Sequence, residues 1–300
     1  MTFLLKYLFC LVFIIISIAF FTLLERKFLG YIHNRFGPIK LFFWGVFQPF
    51  SDAIKLFSKD DVKFKRLNLN IYLLFSIFCL LIAFVFWRVI SLWGVLFYSN
   101  YSLVVFICII GSGVYFLLFI GWCRNTKYRV LGRYRSSAQR VSYEIVIIFC
   151  LLFFFYIWFS LNFIFVFLED YISRIILLSI LNFFLWFFSC FAECNRSPFD
   201  FSEGESELVS GFNTEFAGGL FSFIFIGEYR FIIIFSFINS LFFLKSYFVF
   251  LFFCLFSYLF LWVRGSFPRS RYDILIIIAW KSLCFLILCS FFLFLFSFNI

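Results

Sequence analysis

Eight apolar runs of membrane-spanning length divide this chain, at residues 3–24, 69–87, 102–122, 141–161, 172–192, 216–236, 240–263 and 275–299. A helical span needs about 20 apolar residues. In lipid only helices and closed barrels satisfy their own backbone groups. These runs are continuous, whereas barrel strands alternate over segments of about ten residues. The expected fold is an all-α integral membrane protein with eight transmembrane helices, in a single membrane domain over residues 1–300. A mean hydropathy of +1.08 with 13% charged residues excludes a soluble globular domain.

The first run is too long for a signal-peptide core and ends in Glu25-Arg26-Lys27 rather than at a cleavage site, and no Arg- and Ser-rich transit extension precedes it. Phe accounts for 59 of the 300 residues. Such a bias is what a T-rich coding strand produces, and it points to an AT-rich organellar genome, with an AT-rich bacterium as the alternative.

The formal charge of +10 is unevenly spread. Segment 25–66 carries Arg26, Lys27, Arg35, Lys40, Lys55, Lys59, Lys63, Lys65 and Arg66. Arg124, Lys127, Arg129, Arg133, Arg135 and Arg140 follow the third run, and Arg264, Arg269 and Arg271 follow the seventh. By the positive-inside rule these loops and loop 5–6 face the cytoplasm or matrix, with both termini outside. The basic balance therefore reports membrane topology and anionic lipid contact, not a nucleic-acid partner. The ten cysteines form no CxxC pair and read as small packing residues; His33 stands alone. No metal or redox centre is expected on this chain.

Within the first inner loop, Pro49 suits the first turn of a helix. Phe50, Ile54 and Phe57 then form an apolar stripe opposite Gln48, Asp52, Lys55 and Lys59, the pattern of an amphipathic helix lying in the membrane interface. Between the fifth and sixth runs, Glu193, Asp200, Glu203, Glu205, Glu207 and Glu215 crowd six carboxylates around a single cation, Arg196. Carboxylates crowded at a low-dielectric boundary repel one another and exchange protons readily. Glu144 lies just inside the fourth run. Glu228 is about twelve residues into the sixth, past the middle of a bilayer at about 1.5 Å per residue. An ionisable side chain inside a membrane helix is by default a functional candidate, against the plainer reading of a structural ion pair. Arg230, two positions on, points to a different face of the helix and is a poor partner for Glu228.

Several of these segments resemble a known family. Ala192-Glu193-Cys194-Asn195-Arg196-Ser197-Pro198-Phe199-Asp200, followed by Glu203, Glu205 and Glu207-Leu208-Val209, is similar to the acidic loop of subunit 1 of respiratory complex I, the proton-pumping NADH:ubiquinone oxidoreductase. Glu25-Arg26-Lys27 with Leu29-Gly30-Tyr31, Gln48-Pro49 with Asp52, and Gln139 with Ser142-Tyr143-Glu144 match that family's inner-side segments. So do Glu228-Tyr229, Pro268-Arg269 with Arg271-Tyr272-Asp273, and Trp280-Lys281. Ile39, Phe42, Arg230 and Ile274 depart from the pattern. The resemblance implies a quinone tunnel lined by Arg26, Gln48, Asp52, Phe216, Arg269 and Arg271. It also implies a proton path through Glu144, Glu193, Asp200, Glu203, Glu205, Glu207, Glu215, Glu228 and Tyr229. Ubiquinone would be the substrate, with FMN and Fe–S clusters on partner subunits of the complex and no catalytic residue on this chain alone. The implied location is the mitochondrial inner membrane. Two other readings are a self-sufficient cation or proton transporter, for which no inverted repeat is evident, and the related membrane anchor of an energy-converting hydrogenase.

Overall fold

A computed structural model describes residues 2–40, 43–59, 69–90, 102–123, 127–157, 176–201, 218–243 and 249–298. Over these residues the chain is helical, with no strand among them. The elements are α1 (Thr2–Ile32), a 3-10 turn (Phe43–Gly45), α2 (Gln48–Ser58), α3 (Leu69–Ile90), α4 (Ser102–Trp122), α5 (Lys127–Ile157), α6 (Ile176–Glu193), α7 (Gly219–Phe243) and α8 (Val249–Ser266). The chain ends in α9 (Tyr272–Ile277), which passes through a π-helical turn (Ile278–Leu283) into α10 (Cys284–Phe298). Among the described residues, five helical stretches are long and apolar enough to cross a membrane: Ser102–Trp122, Val130–Tyr156, Gly219–Phe242, Val249–Ser266 and Tyr272–Leu293. Asn70–Phe86 and Ile180–Glu193 are apolar but shorter.

Helices α3, α4, α5 and α7 form the packed centre, with α6 and α10 against α5 and with α1 and α8 against α7. Lipid gives no hydrophobic drive between helices, so shape must hold them together. Here aromatic rings supply much of it. Phe191 meets Phe260 with ring centroids 4.4 Å apart, Phe187 meets Phe191 edge-on at 4.8 Å, and Phe154 stacks on Phe242 at 4.6 Å. Each such pair contributes about 0.5–1.5 kcal/mol beyond its buried area. Outward faces stay apolar and exposed, as at Phe13, Phe184, Phe250 and Phe285. Two buried polar joints tie helices together: Trp186 Nε1 donates to Asn239 Oδ1 at 2.6 Å, and Ser290 Oγ to Asn182 Oδ1 at 2.8 Å.

Two boundaries differ from the sequence reading. The sixth and seventh runs were divided near residue 238, but α7 continues to Phe243. Phe237, Ile238 and Asn239, between those two runs, are helical, and the Ser236 and Ser240 hydroxyls donate to the Ile233 and Phe237 carbonyls three residues back. The basic stretch before the fourth run is also helical, because α5 starts at Lys127. Arg133 and Arg140 are thereby turned into the bundle, each 2% exposed, instead of facing lipid headgroups.

The returning loop after α1 positions α2. Gly45 has φ +70°, and a Cβ there would lie 2.4 Å from the Pro38 carbonyl oxygen, so only glycine allows this close turn. Pro49 then lies in the first turn of α2, as the sequence suggests. Phe50 packs edge-on against Phe20 of α1 (6.0 Å) and Phe57 against Phe223 of α7 (6.3 Å), while Ile54 stays exposed.

Candidate functional site

The first group of polar residues sits where α2 returns to α1. Arg26 Nη1 contacts Asp52 Oδ2 at 2.5 Å, and Gln48 Nε2 donates to Asp52 Oδ1 at 3.1 Å. Gln48 and Asp52 are one helical turn apart, so both reach the same place. Two donors, Arg26 from 26 positions upstream and Gln48 from the preceding turn, thus share the Asp52 carboxylate, and the Arg26 side chain remains half exposed. Close by, a pocket of about 400 Å³ opens between the end of α1 and the returning loop, lined by Lys27, Tyr31, Phe36, Pro38 and Trp44. That volume falls within the range of small-ligand sites.

The residue before Arg26 on α1, Glu25, is buried and forms an ion pair with Arg264 of α8. Replacing Arg264 with Met strands the Glu25 carboxylate and is expected to cost about 3–5 kcal/mol, read as a lower thermal midpoint of the purified assembly. Adding Glu25→Gln should recover much of the loss.

The second group lies inside the bundle. Glu228 of α7 pairs with Arg196, whose Nη2 is 3.3 Å from Glu228 Oε2, with both side chains largely buried (10% and 14% exposed). Arg196 also lies over the Tyr229 ring at 4.7 Å. Glu228 is nine residues from the start of α7, or about 14 Å. That is near the middle of a layer about 30 Å thick rather than beyond it. Arg196 reaches it because the turn after α6 folds into the bundle. Cys194, Asn195, Arg196, Phe199 and Phe201 are all buried, and Gln139 of α5 donates through Nε2 to the carbonyls of Ala192 (2.7 Å) and Phe199 (3.1 Å). Asn195 takes a positive φ of 48° in this turn, and Asp200 is half buried at its end.

Glu193 closes α6 and is fully buried, with neither carboxylate oxygen hydrogen-bonded among the described residues. The charges that act on it come from Arg140, Glu144 and Arg230. Glu144 faces α4, where its Oε1 would lie 2.7 Å from a Cβ placed on Gly111, so glycine makes the room for this carboxylate. Carboxylates held close to guanidinium groups in an apolar bundle interact strongly and titrate as a coupled set.

The third group is at the start of α9. Arg269 lies over the Phe201 ring at 5.6 Å, and exposed Arg271 donates through Nε to Asp273 at 3.1 Å. Ser270 binds the Pro198 carbonyl through its backbone N–H at 3.1 Å, which links this segment to the turn that carries Arg196. The expected tunnel residues therefore divide between two places, Arg26, Gln48 and Asp52 in one and Arg269 and Arg271 in the other. Glu203, Glu205, Glu207, Glu215 and Phe216 lie outside the described residues. Arg140, Arg196 and Arg230, central to the buried group, were not among the expected site residues.

The model of the NADH dehydrogenase family matches residues 5–295. The chain belongs to the NADH dehydrogenase family. It is 43% identical over 274 residues to NADH-ubiquinone oxidoreductase chain 1 of Aedes aegypti, covering 90% of this chain and 87% of that relative. It is similar to the proteins of the same name from Artemia franciscana (41% over 280 residues, 91% of each chain) and Rhipicephalus sanguineus (41% over 289 residues, 94% of this chain and 92% of the relative). The matched length includes all three polar groups.

Proposed function

We propose that this chain is the membrane subunit of proton-pumping NADH:ubiquinone oxidoreductase that forms, with the peripheral arm, the access tunnel for ubiquinone. In this reading it also begins the carboxylate path that couples quinone reduction to proton movement. One observation carries the reading: in a member of this family, α1 and α2 gather Arg26, Gln48 and Asp52 at one end, while α5, α6 and α7 hold the buried Glu193 and the half-buried Glu144 and Glu228 inside the bundle, with Arg196 on Glu228. A quinone headgroup carries two carbonyls, which need donors when they leave lipid; Arg26 and Gln48 can offer them, and Asp52 orients both. Electrons arrive from FMN and Fe–S clusters held by partner subunits, and that redox chemistry belongs to those cofactors. This chain contributes position, access and charge.

The same reading has eight spans, the basic loops and α2 on the matrix side, and a place in the mitochondrial inner membrane beside the other complex I subunits. Tags inserted in 55–65 or 125–135 should be protected on the inner side, and tags at residues 1 and 300 or in 165–170 should be accessible from outside. Termini on opposite sides would contradict it. A photoreactive ubiquinone analogue in the assembled complex should label the peptide spanning residues 26–52, and excess ubiquinone should suppress the label. Labelling only on lipid-facing α8 and α10 would reject the tunnel.

A further inference from the structure

Lys281 is a charge on the outside of a helix where lipid would be expected. It lies inside the apolar stretch Tyr272–Leu293, nine positions from one end and twelve from the other. At about 1.5 Å per residue it is about 13 Å from the Tyr272 end and about 18 Å from the far end. The bundle fixes the direction in which it points. Leu275, Ala279, Leu283 and Ile287, four residues apart, are all buried, and Tyr143 of α5 donates to the Leu275 carbonyl at 3.0 Å. Ile274, Ile277, Trp280 and Lys281 are exposed on the other side. Trp280 and Lys281 belong to the π-helical turn Ile278–Leu283, a local form frequent at functional sites.

Among the described residues no hydrogen bond or ion pair engages Lys281. The described carboxylates nearest in the fold point elsewhere: Asp273 meets Arg271 at the start of α9, Glu144 faces Gly111 of α4, and Glu193 is enclosed in the bundle. An unpaired ammonium in hydrocarbon is costly, so ionisable groups in membrane helices pair or face water. A lysine near a helix end escapes by extending to the interface, but a four-carbon stem covers only about half of the distance here. Anionic lipid headgroups stay at that interface and do not come to it. A second copy of this chain docked symmetrically on the same face would oppose lysine to lysine. A carboxylate must therefore arrive from the side, and within lipid a helix is the element that can carry it.

We propose that the face of α9 and the π-helical turn around Lys281 is an intersubunit contact, which takes a transmembrane helix of a neighbouring subunit carrying one Asp or Glu near its middle. That carboxylate pairs with Lys281, and Ile274, Ile277 and Trp280 supply the apolar surface beside it. A single buried polar pair in an otherwise apolar contact sets register and partner more than it adds strength. The inference rests on the reading of this chain as one subunit of a membrane complex, and it adds where a neighbour sits and what that neighbour must carry.

The test is a structure of the assembled complex at a resolution that shows side chains. A carboxylate oxygen from a helix of another subunit is expected within about 4 Å of Lys281 Nζ. An Nζ that faces acyl chains, a lipid phosphate, a water-filled channel or a carboxylate of this chain overturns the proposal. Variants give a second readout. Lys281→Met should lower retention of that subunit through detergent extraction about tenfold or more, because it leaves a buried carboxylate unpaired, and Lys281→Arg should keep it. Combining Lys281→Met with replacement of the partner's carboxylate by the matching amide should recover retention. If Lys281→Met alone prevents assembly, recovery of assembly in the double variant supports the same pairing. Full retention in Lys281→Met, or no recovery in the double variant, overturns it. Recovery of this chain with no other subunit would contradict the proposed function itself, so the two failures are distinct.

Discussion

Replacing Glu228 with Gln is expected to uncouple the assembled complex: electron flow from NADH to ubiquinone continues while proton translocation falls about tenfold or more. A general acid–base group in a transfer chain contributes about 10²–10⁴-fold to its step, and Gln keeps the shape while removing the exchangeable proton. The substitution also leaves Arg196 without the carboxylate it meets at 3.3 Å, beneath the Tyr229 ring. Removing one member of a buried pair costs about 3–5 kcal/mol when the other stays charged, so some loss of stability should accompany the loss of pumping. Arg196→Met combined with Glu228→Gln should restore stability without restoring pumping. That separation distinguishes a path residue from a structural ion pair, because a structural pair would recover both. Proton-to-electron stoichiometry in sealed vesicles is the measurement. Normal stoichiometry in Glu228→Gln would remove Glu228 from the path and leave it as Arg196's anchor.

The second large effect is expected at Asp52. Asp52→Asn and Arg26→Ala should each slow quinone reduction by about one to two decades, the kinetic equivalent of losing a contact of about 1–3 kcal/mol. NADH oxidation by a small hydrophilic acceptor should be unchanged, because that reaction ends before the quinone. Asp52 carries two contacts, from Arg26 Nη1 and Gln48 Nε2. The Asn variant therefore loses a charge and one acceptor while keeping its size. Gln48→Ala should be milder, since Arg26 still fixes the carboxylate. Equal loss with both acceptors would indicate failed assembly and would not support a role in quinone access.

What was legible in the sequence was local. Long apolar runs announce helices without any knowledge of their neighbours: apart from Gly218 the described residues of the runs are helical, although the 240–263 run is divided between α7 and α8 and five described stretches are long and apolar enough to span. The Pro49 start of α2 was equally readable. Pairings across helices were not. Glu228 was weighed against Arg230 because they are neighbours in sequence, but its partner is Arg196, 32 residues upstream, carried inward by a turn that looked like part of a solvated acidic loop. That inward fold depends on Gln139 binding two carbonyls of the turn, a contact no periodicity reveals. Part of the missed information was nevertheless present. Arg133, Arg140, Glu144 and Ile147 recur at helical spacing, which marks a single face of α5. The six arginines and lysines before Glu144 look like one cationic surface only while that spacing is ignored, since Arg133 and Arg140 turn inward. The stranded Glu193 and the buried Arg230 depend on packing among α5, α6 and α7 and were beyond any local pattern.

The most direct measurement is the composition of the assembly that contains this chain after mild detergent extraction, together with the activity that migrates with it. The account predicts that the chain travels with flavin- and Fe–S-bearing subunits in a large complex, and that NADH-driven ubiquinone reduction travels with it. Recovery of the chain alone with cation or proton transport activity, or with a module that evolves hydrogen in place of reducing quinone, would contradict it.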